Sequence, residues 1–122
     1  MIRLFFLFLS VIYVAVIFLL AGSPIVSEIS RFNPHSLLHI PLYGILAVLL
    51  YQSLDKPGRI GFFLPGLIAL VVGIGDEINQ LFTPGREASA TDVMLDLAGI
   101  CLFLFFLSQL RNVLDKREKS KG

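Results

Sequence analysis

Residues 60–82 read IGFFLPGLIALVVGIGDEINQLF, a run long enough to cross the hydrocarbon core of a bilayer as one α-helix. Three further apolar runs lie at residues 4–21, 37–54 and 93–110. The chain has 122 residues, of which 56% are hydrophobic and 16% are charged, against about 25% charged in a typical soluble domain. The sequence therefore predicts an all-α integral membrane bundle of four transmembrane helices, over about residues 4–21, 34–54, 60–82 and 92–110.

This length leaves no room for a separate soluble catalytic domain. We expect one membrane domain at residues 1–114, followed by a charged cytoplasmic tail at residues 115–122 that is frayed or lies at the lipid headgroups. The formal net charge of +1, without a basic stripe, argues against nucleic-acid binding. No cofactor is predicted.

The distribution of basic residues predicts the orientation in the membrane. Eight of the ten lie on one side of the predicted helices: Arg3, Lys56, Arg59, Arg111, Lys116, Arg117, Lys119 and Lys121. The positive-inside rule places that side, with both termini, in the cytoplasm. Residues 22–36 and 83–92 would then lie outside a multi-pass protein of the cytoplasmic membrane.

The first apolar run has a second interpretation. Arg3 precedes it and the small residues 21–23 follow it, as in a cleaved signal peptide, but the run is longer than the usual apolar region of about 7 to 15 residues. The sequence favours a retained helix and leaves cleavage open.

Turn and capping residues agree with the predicted boundaries. Asn33-Pro34 is typical of a helix start, residues 55–58 form a turn motif and Thr83-Pro84-Gly85 another. Ser89 and Asp92 have the spacing of a capping box.

Polar residues recur at helical spacing within three of the apolar helices. One stripe lies in each helix: His35, His39 and Tyr43; Gly73, Asp76, Glu77 and Gln80; Asp92, Asp96 and Gly99. With the predicted orientation, all three stripes lie toward the outer side. Because ionisable residues inside a membrane are costly and face the bundle interior, we predict an outward-facing acidic pocket.

The embedded carboxylates need partners. Arg86 could pair bidentately with Glu77 or Asp92, and His39 could donate to a second carboxylate. The plain alternative is that these residues only hold the helices together, with Gly73 and Gly99 allowing close packing.

The candidate roles follow from residue chemistry. Candidates for acid–base catalysis are Asp76, Glu77 and His39, and candidates for binding are Gln80, Arg86, Ser89, Asp92, Asp96 and Tyr43. The order of these carboxylates and histidines matches no metal-ligand spacing, so no metal is predicted. Whether the protein is an enzyme stays open.

The stretch DEINQLFTPGREASATD at residues 76–92, closed by Gly99, resembles the signature of the VanZ-like family of membrane proteins. His39 and Tyr43 resemble the H-x-x-x-Y motif in the second helix of that family. Two positions depart from the family pattern: Ser36 stands where a Lys is frequent, and Asp96 stands where an Asn is usual. Both departures make this site more acidic.

The resemblance implies a small four-helix membrane protein. The namesake of the family is associated with low-level resistance to the glycopeptide antibiotic teicoplanin. We therefore expect a membrane lipid, a cell-envelope precursor or a glycopeptide as the partner of the pocket. The alternative is a non-catalytic membrane interaction protein whose polar cluster only stabilises helix packing.

Overall fold

A computed structural model of the chain describes residues 1–25, 28, 36–54 and 58–122. Within these residues the chain forms no strand and has four main α-helices: α1 (Ile2–Ala21), α2 (Ser36–Ser53), α3 (Gly58–Gln80) and α4 (Ala90–Lys121). Helices α1, α3 and α4 are long and apolar enough to span a membrane, and α2 is a shorter apolar helix over Leu37–Ser53. The prediction of an all-α membrane bundle is confirmed.

Helix α2 lies at the centre of the bundle. It packs against the other three helices, most extensively against α4, and its residues Tyr43, Leu46 and Ala47 are completely buried. Large apolar side chains on the outer faces, such as Phe8 and Phe106, are exposed. An apolar surface of this extent is what a helix presents to lipid, so the core of the bundle is thin and its periphery faces the membrane.

Two glycines allow the helices to approach closely. A Cβ atom on Gly99 would collide with the backbone carbonyl of Ile40 in α2, and one on Gly73 would collide with the carboxylate of Asp96 in α4. The expected packing role of Gly73 and Gly99 is therefore confirmed. Both close approaches lie beside buried polar side chains.

The loop between α3 and α4 is built from the predicted turn residues. Arg86 N donates to Thr83 O at 3.2 Å, and Gly85 between them has φ +79°, the pattern of a type II turn with Pro84 at its second position. Ser89 then caps α4, because its side chain accepts a hydrogen bond from Asp92 N at 3.3 Å. The Ser89 half of the predicted capping box is present.

The largest difference from the sequence prediction is at the end of α4. The helix continues to Lys121, so the tail is helical up to that residue and the expectation of a frayed tail is wrong. Residues 111–121 contain neither Gly nor Pro and are rich in good helix formers. Lys119 and Lys121 in the last turn also favour the helix, since they face the negative end of its dipole.

Some predictions fall outside the described residues. These are the helix start at Asn33-Pro34, the position of His35, and the turn residues 55–57. Gly58, which follows that turn, has φ +66°, a conformation that glycine adopts at little cost.

Candidate functional site

The predicted site residues converge at one end of the bundle, where α1 and α3 end and α2 and α4 begin. We call this region the polar end, and it contains His39, Tyr43, Asp76, Glu77, Gln80, Arg86, Ser89, Asp92 and Asp96. Six of these residues are at most 7% exposed: His39, Tyr43, Asp76, Glu77, Gln80 and Asp96. The structure thus brings together all nine residues singled out in the sequence.

A histidine–carboxylate pair joins α2 to α4. His39 Nδ1 lies 2.7 Å from Asp96 Oδ1, and Asp96 is completely buried. On the other side of the ring, Nε2 lies 3.9 Å from Asp92 Oδ2. The expected pairing of His39 with a carboxylate is therefore observed, and the partner is Asp96, the residue that departs from the family pattern.

Asp76 is the acceptor of a second interhelical contact. Its Oδ2 accepts hydrogen bonds from the Tyr43 hydroxyl and from Gln80 Nε2, both at 3.2 Å. Its Oδ1 is buried and has no hydrogen-bond partner in the part of the chain that the structure describes, and the same is true of Asp96 Oδ2. Burying an unsatisfied polar atom costs free energy, which makes these two oxygens unusual for a purely structural cluster.

Glu77 connects α3 to the start of α4. Its Oε2 accepts a hydrogen bond from Ser89 N at 2.8 Å, and its Oε1 accepts one from Gln80 Nε2 at 3.3 Å. In a capping box the N–H of the N-cap residue goes to the acidic side chain three positions later. Here a carboxylate from the neighbouring helix accepts it, which ties the two helices together.

Arg86 does not form the predicted bidentate pair with Glu77. Its Nη2 donates to Gln80 Oε1 at 3.0 Å and its Nη1 donates to Ala21 O at 3.1 Å. Ala21 is the last residue of α1, and carbonyl groups at a helix C-terminus attract cations. Of the two partners predicted for Arg86, Glu77 or Asp92, Glu77 is not the partner, because its Oε2 is held by Ser89 N. The contact of Arg86 to α1 has no signal in the sequence.

A cleft of about 380 Å³ opens beside the polar end, between α1, α2 and α3. Its walls are apolar residues of α1 and α2, and its polar lining comes from the hydroxyl of Tyr13 and from His39, Asp76, Gln80 and Arg86. Tyr13 also donates to Leu42 O at 2.9 Å, which fixes α1 against α2. Sequence reasoning missed the wall residues, since their apolar side chains look like any others in a membrane helix: Val16, Ile17, Leu20, Leu38, Pro41, Leu42 and Ile45.

The cleft combines apolar walls with charged and polar side chains at one end. Arg86 has five N–H donors, and its described contacts occupy only part of them. Asp76 and His39, which both line the cleft, can exchange protons with a bound group. The cleft can therefore accommodate a molecule with an apolar chain and a polar head.

A match to a protein family covers these residues. The sequence model of a family described as VanZ/LLP1 matches residues 30–111. The chain belongs to the VanZ/LLP1 family. No curated protein and no solved structure matched the chain.

The residues matched to the VanZ/LLP1 family include the whole polar end, from His39 to Asp96. Helix α1 lies outside the match, yet it supplies one wall of the cleft and the Ala21 carbonyl that holds Arg86. The cleft of this VanZ/LLP1 protein is thus formed jointly by the family segment and by α1.

A second cavity, of about 770 Å³, lies at the opposite end of the bundle. We call this region the basic end, because Arg3, Arg59 and Arg111 line it. Arg111 donates to the Tyr51 hydroxyl and lies 5.4 Å from the centre of its ring. The three arginines are exposed, as expected of basic residues at the cytoplasmic boundary.

Proposed function

We propose that this VanZ/LLP1 membrane protein binds an amphiphilic component of the cell envelope at the outer leaflet. The apolar chain of the ligand occupies the cleft between α1 and α2, and its anionic headgroup binds Arg86. One observation carries the proposal: the cleft has apolar walls and ends at His39, Asp76, Gln80 and Arg86.

The position of Arg86 supports this assignment. It is half-buried, and its two described acceptors, Gln80 Oε1 and Ala21 O, carry no formal charge. Hydrogen bonds from a guanidinium to a phosphate or carboxylate are about twice as strong as those between neutral groups. An anionic headgroup is therefore a better partner for the remaining N–H groups than water or a neutral lipid.

The expected orientation defines which molecules reach the cleft. The outer leaflet holds membrane lipids and lipid-linked precursors, and a glycopeptide with an acyl chain has the same two-part chemistry. The association of the family with teicoplanin resistance is consistent with such a ligand. The proposal assigns recognition of the ligand, and Asp76, Glu77 and His39 are its candidates for proton transfer.

The alternative function is a non-catalytic interaction protein whose polar cluster only stabilises helix packing. The interhelical hydrogen bonds of Tyr43 and His39 favour it. Two buried oxygens, Asp76 Oδ1 and Asp96 Oδ2, have no hydrogen-bond partner among the described residues and argue against it, since a cluster that serves packing alone gains nothing from unsatisfied carboxylates.

Photocrosslinking tests ligand binding directly. The protein is reconstituted with a phosphatidylglycerol analogue that carries a diazirine on its acyl chain, and labelled peptides are mapped. We expect labelling of α1 and α2 near Leu42, reduced at least about tenfold in Arg86→Ala, since losing a charge-assisted contact costs about 1.5–3 kcal/mol. The matched control is Arg59→Ala at the basic end, which should label as the wild type does.

Equal labelling of Arg86→Ala and the wild type would contradict the proposal, as would labelling confined to the outer faces of the helices. A zwitterionic phosphatidylcholine analogue distinguishes charge recognition from simple partitioning of an acyl chain. It should label the cleft weakly in both proteins.

Teicoplanin susceptibility tests the link to the family phenotype. A sensitive Gram-positive host would express the wild type, Glu77→Gln, Arg86→Ala or Arg59→Ala, with the membrane protein quantified in each strain. We expect resistance from the wild type and from Arg59→Ala, and its loss in the other two at equal protein level. Loss of resistance that only follows loss of protein would favour the packing alternative.

A further inference from the structure

Three donor atoms from three helices converge at the polar end. They are one ring nitrogen of His39 from α2 and one carboxylate oxygen each from Glu77 in α3 and Asp92 in α4, and all lie within 4.8 Å of one another. His39 Nε2 lies 3.9 Å from Asp92 Oδ2. His39 and Glu77 are more than nine-tenths buried, and Asp92 is half-buried. One nitrogen and two carboxylate oxygens from separate helices form a donor set that surrounds a common point.

The orientation of His39 leaves Nε2 facing these carboxylates. Because a carboxylate only accepts hydrogen bonds, Nδ1 carries the proton in its 2.7 Å contact with Asp96. The ring also stacks on Tyr43 at 5.9 Å. In the neutral ring Nε2 presents a lone pair, and it has no hydrogen bond in the part of the chain that the structure describes. A cation bound between this lone pair and the two carboxylates would make the arrangement favourable.

The outer contacts of the donor set resemble those of built metal sites. Histidine ligands of metals donate their second N–H to a carboxylate, which fixes the ring and raises its basicity. Asp96 does this for His39, and Ser89 N holds Glu77 by its Oε2. Ser89 also caps the helix turn that carries Asp92. The side chains of His39 and Glu77 are thus held in place by second contacts, and the backbone of Asp92 is held by the cap of its helix.

The charges at the polar end also favour a bound cation. Four carboxylates lie here, at Asp76, Glu77, Asp92 and Asp96, while the guanidinium of Arg86 donates to two uncharged oxygens. Asp76 Oδ1 and Asp96 Oδ2 are buried without a hydrogen-bond partner among the described residues. Buried negative charge in a membrane protein is costly, and a bound divalent cation would offset it.

We infer that His39, Glu77 and Asp92 bind one divalent transition-metal ion of the Zn²⁺ or Mn²⁺ class. Mixed imidazole and carboxylate donors suit these ions better than Mg²⁺ or Ca²⁺, which prefer oxygen alone. With three protein ligands, at least one coordination position is left for water or a ligand. The sequence showed no ligand spacing because each helix contributes one ligand.

The site adjoins the cleft, since His39 is part of both. A metal ion there would lie beside the headgroup of a bound amphiphile and could polarise one of its oxygens. This last step rests on the proposed function. Metal binding itself does not, and it is measured without any envelope ligand.

The test is a metal titration of the purified protein in detergent. After dialysis against EDTA, Zn²⁺ is titrated by calorimetry, bound metal is counted by mass spectrometry of the elements, and Mn²⁺ is followed by electron paramagnetic resonance. We expect one Zn²⁺ or Mn²⁺ per chain, competing for one site, and a higher thermal unfolding temperature with metal. Mg²⁺ at the same concentration should not compete.

Variants separate a specific site from general attraction to acidic groups. Asp92→Asn and His39→Gln should lose stoichiometric binding, and Asp96→Asn should weaken it about 10- to 100-fold through the histidine it orients. The matched control is Glu87→Gln, because Glu87 is an exposed acidic residue in the loop between α3 and α4. This variant should bind metal as the wild type does. Circular dichroism without metal checks that each variant is folded.

Two results would overturn the inference. One is a wild type that binds no Zn²⁺ or Mn²⁺ at millimolar concentration, which would mean that a proton alone occupies the space between His39 and the carboxylates. The other is a folded Asp92→Asn that binds as well as the wild type. Metal binding together with absent photocrosslinking would refute the proposed lipid site and leave the metal site intact.

Discussion

At the polar end, four carboxylates and a histidine lie among three helices, mostly buried and joined by interhelical hydrogen bonds. At the basic end, Arg3, Arg59 and Arg111 are exposed around a larger cavity, and Arg111 contacts Tyr51. Charges inside a bundle need partners from other helices, whereas charges at a membrane boundary are solvated. The two ends therefore differ in structure: the polar end is a buried, hydrogen-bonded cluster, and the basic end is exposed.

The largest effect expected is all-or-none labelling, and it tests which end lies outside. In a Cys101→Ser background, Glu87→Cys should react with a membrane-impermeant maleimide in intact cells. Lys119→Cys should react only after lysis, because the positive-inside rule places α4's end in the cytoplasm. The reverse pattern would turn the polar end toward the cytoplasm and remove the outer-leaflet ligands from the proposal.

Substitutions at two glycines, Gly99 and Gly66, should lower the free energy of unfolding by different amounts. Gly99→Val should lower the free energy of unfolding by about 3 kcal/mol, since the new side chain meets the Ile40 backbone. The control is Gly66→Ala, whose Cβ would meet only side-chain ends of Leu104 and Ile100 at 3.2 and 3.3 Å, and should cost less than about 1 kcal/mol. Thermal unfolding followed by circular dichroism measures both, and equal costs would contradict the close approach of α2 and α4.

Two tyrosines form a matched pair for hydrogen bonding. Tyr43→Phe removes the hydroxyl that donates to Asp76 and should cost about 1–2 kcal/mol. Tyr51→Phe removes only an acceptor for the exposed Arg111 and should cost less than about 0.5 kcal/mol. A larger loss for Tyr51→Phe would show that the basic end is the better ordered of the two.

The smallest effect is expected from the end of α4. Removing residues 117–122 deletes only exposed side chains, so the unfolding temperature of the bundle should change by no more than about 2 °C. Such a truncation also removes three of the chain's ten basic residues, Arg117, Lys119 and Lys121. A fall in unfolding temperature well beyond this would mean that the tail packs on another part of the protein.

Much of this architecture is encoded locally. An apolar run of about 20 residues has few alternatives to a helix in a membrane, because every backbone group must be hydrogen-bonded internally. Helical spacing also places Asp76, Glu77 and Gln80 on one face, and the turn residues Pro84 and Gly85 position the next helix. Convergence of the polar stripes follows from these local rules.

The parts that sequence reasoning missed depend on which helices become neighbours. Arg86 donates to Ala21 O at the end of α1, 65 positions away in sequence. His39 pairs with Asp96, which lies 57 positions away in sequence. The walls of the cleft consist of ordinary apolar residues whose role depends only on packing. No spacing rule within one helix predicts such contacts.

The continuous length of α4 has a consequence for its basic residues. With 32 residues the helix is about 48 Å long, whereas the hydrocarbon layer is about 30 Å thick. Fitting the whole helix inside that layer would need a tilt of about 50°, outside the range of about 0–40° found for transmembrane helices. For a membrane-spanning α4 we therefore expect Lys119 and Lys121 to lie beyond the hydrocarbon layer, in water, where salt screens their attraction to the lipid surface within about 8–10 Å.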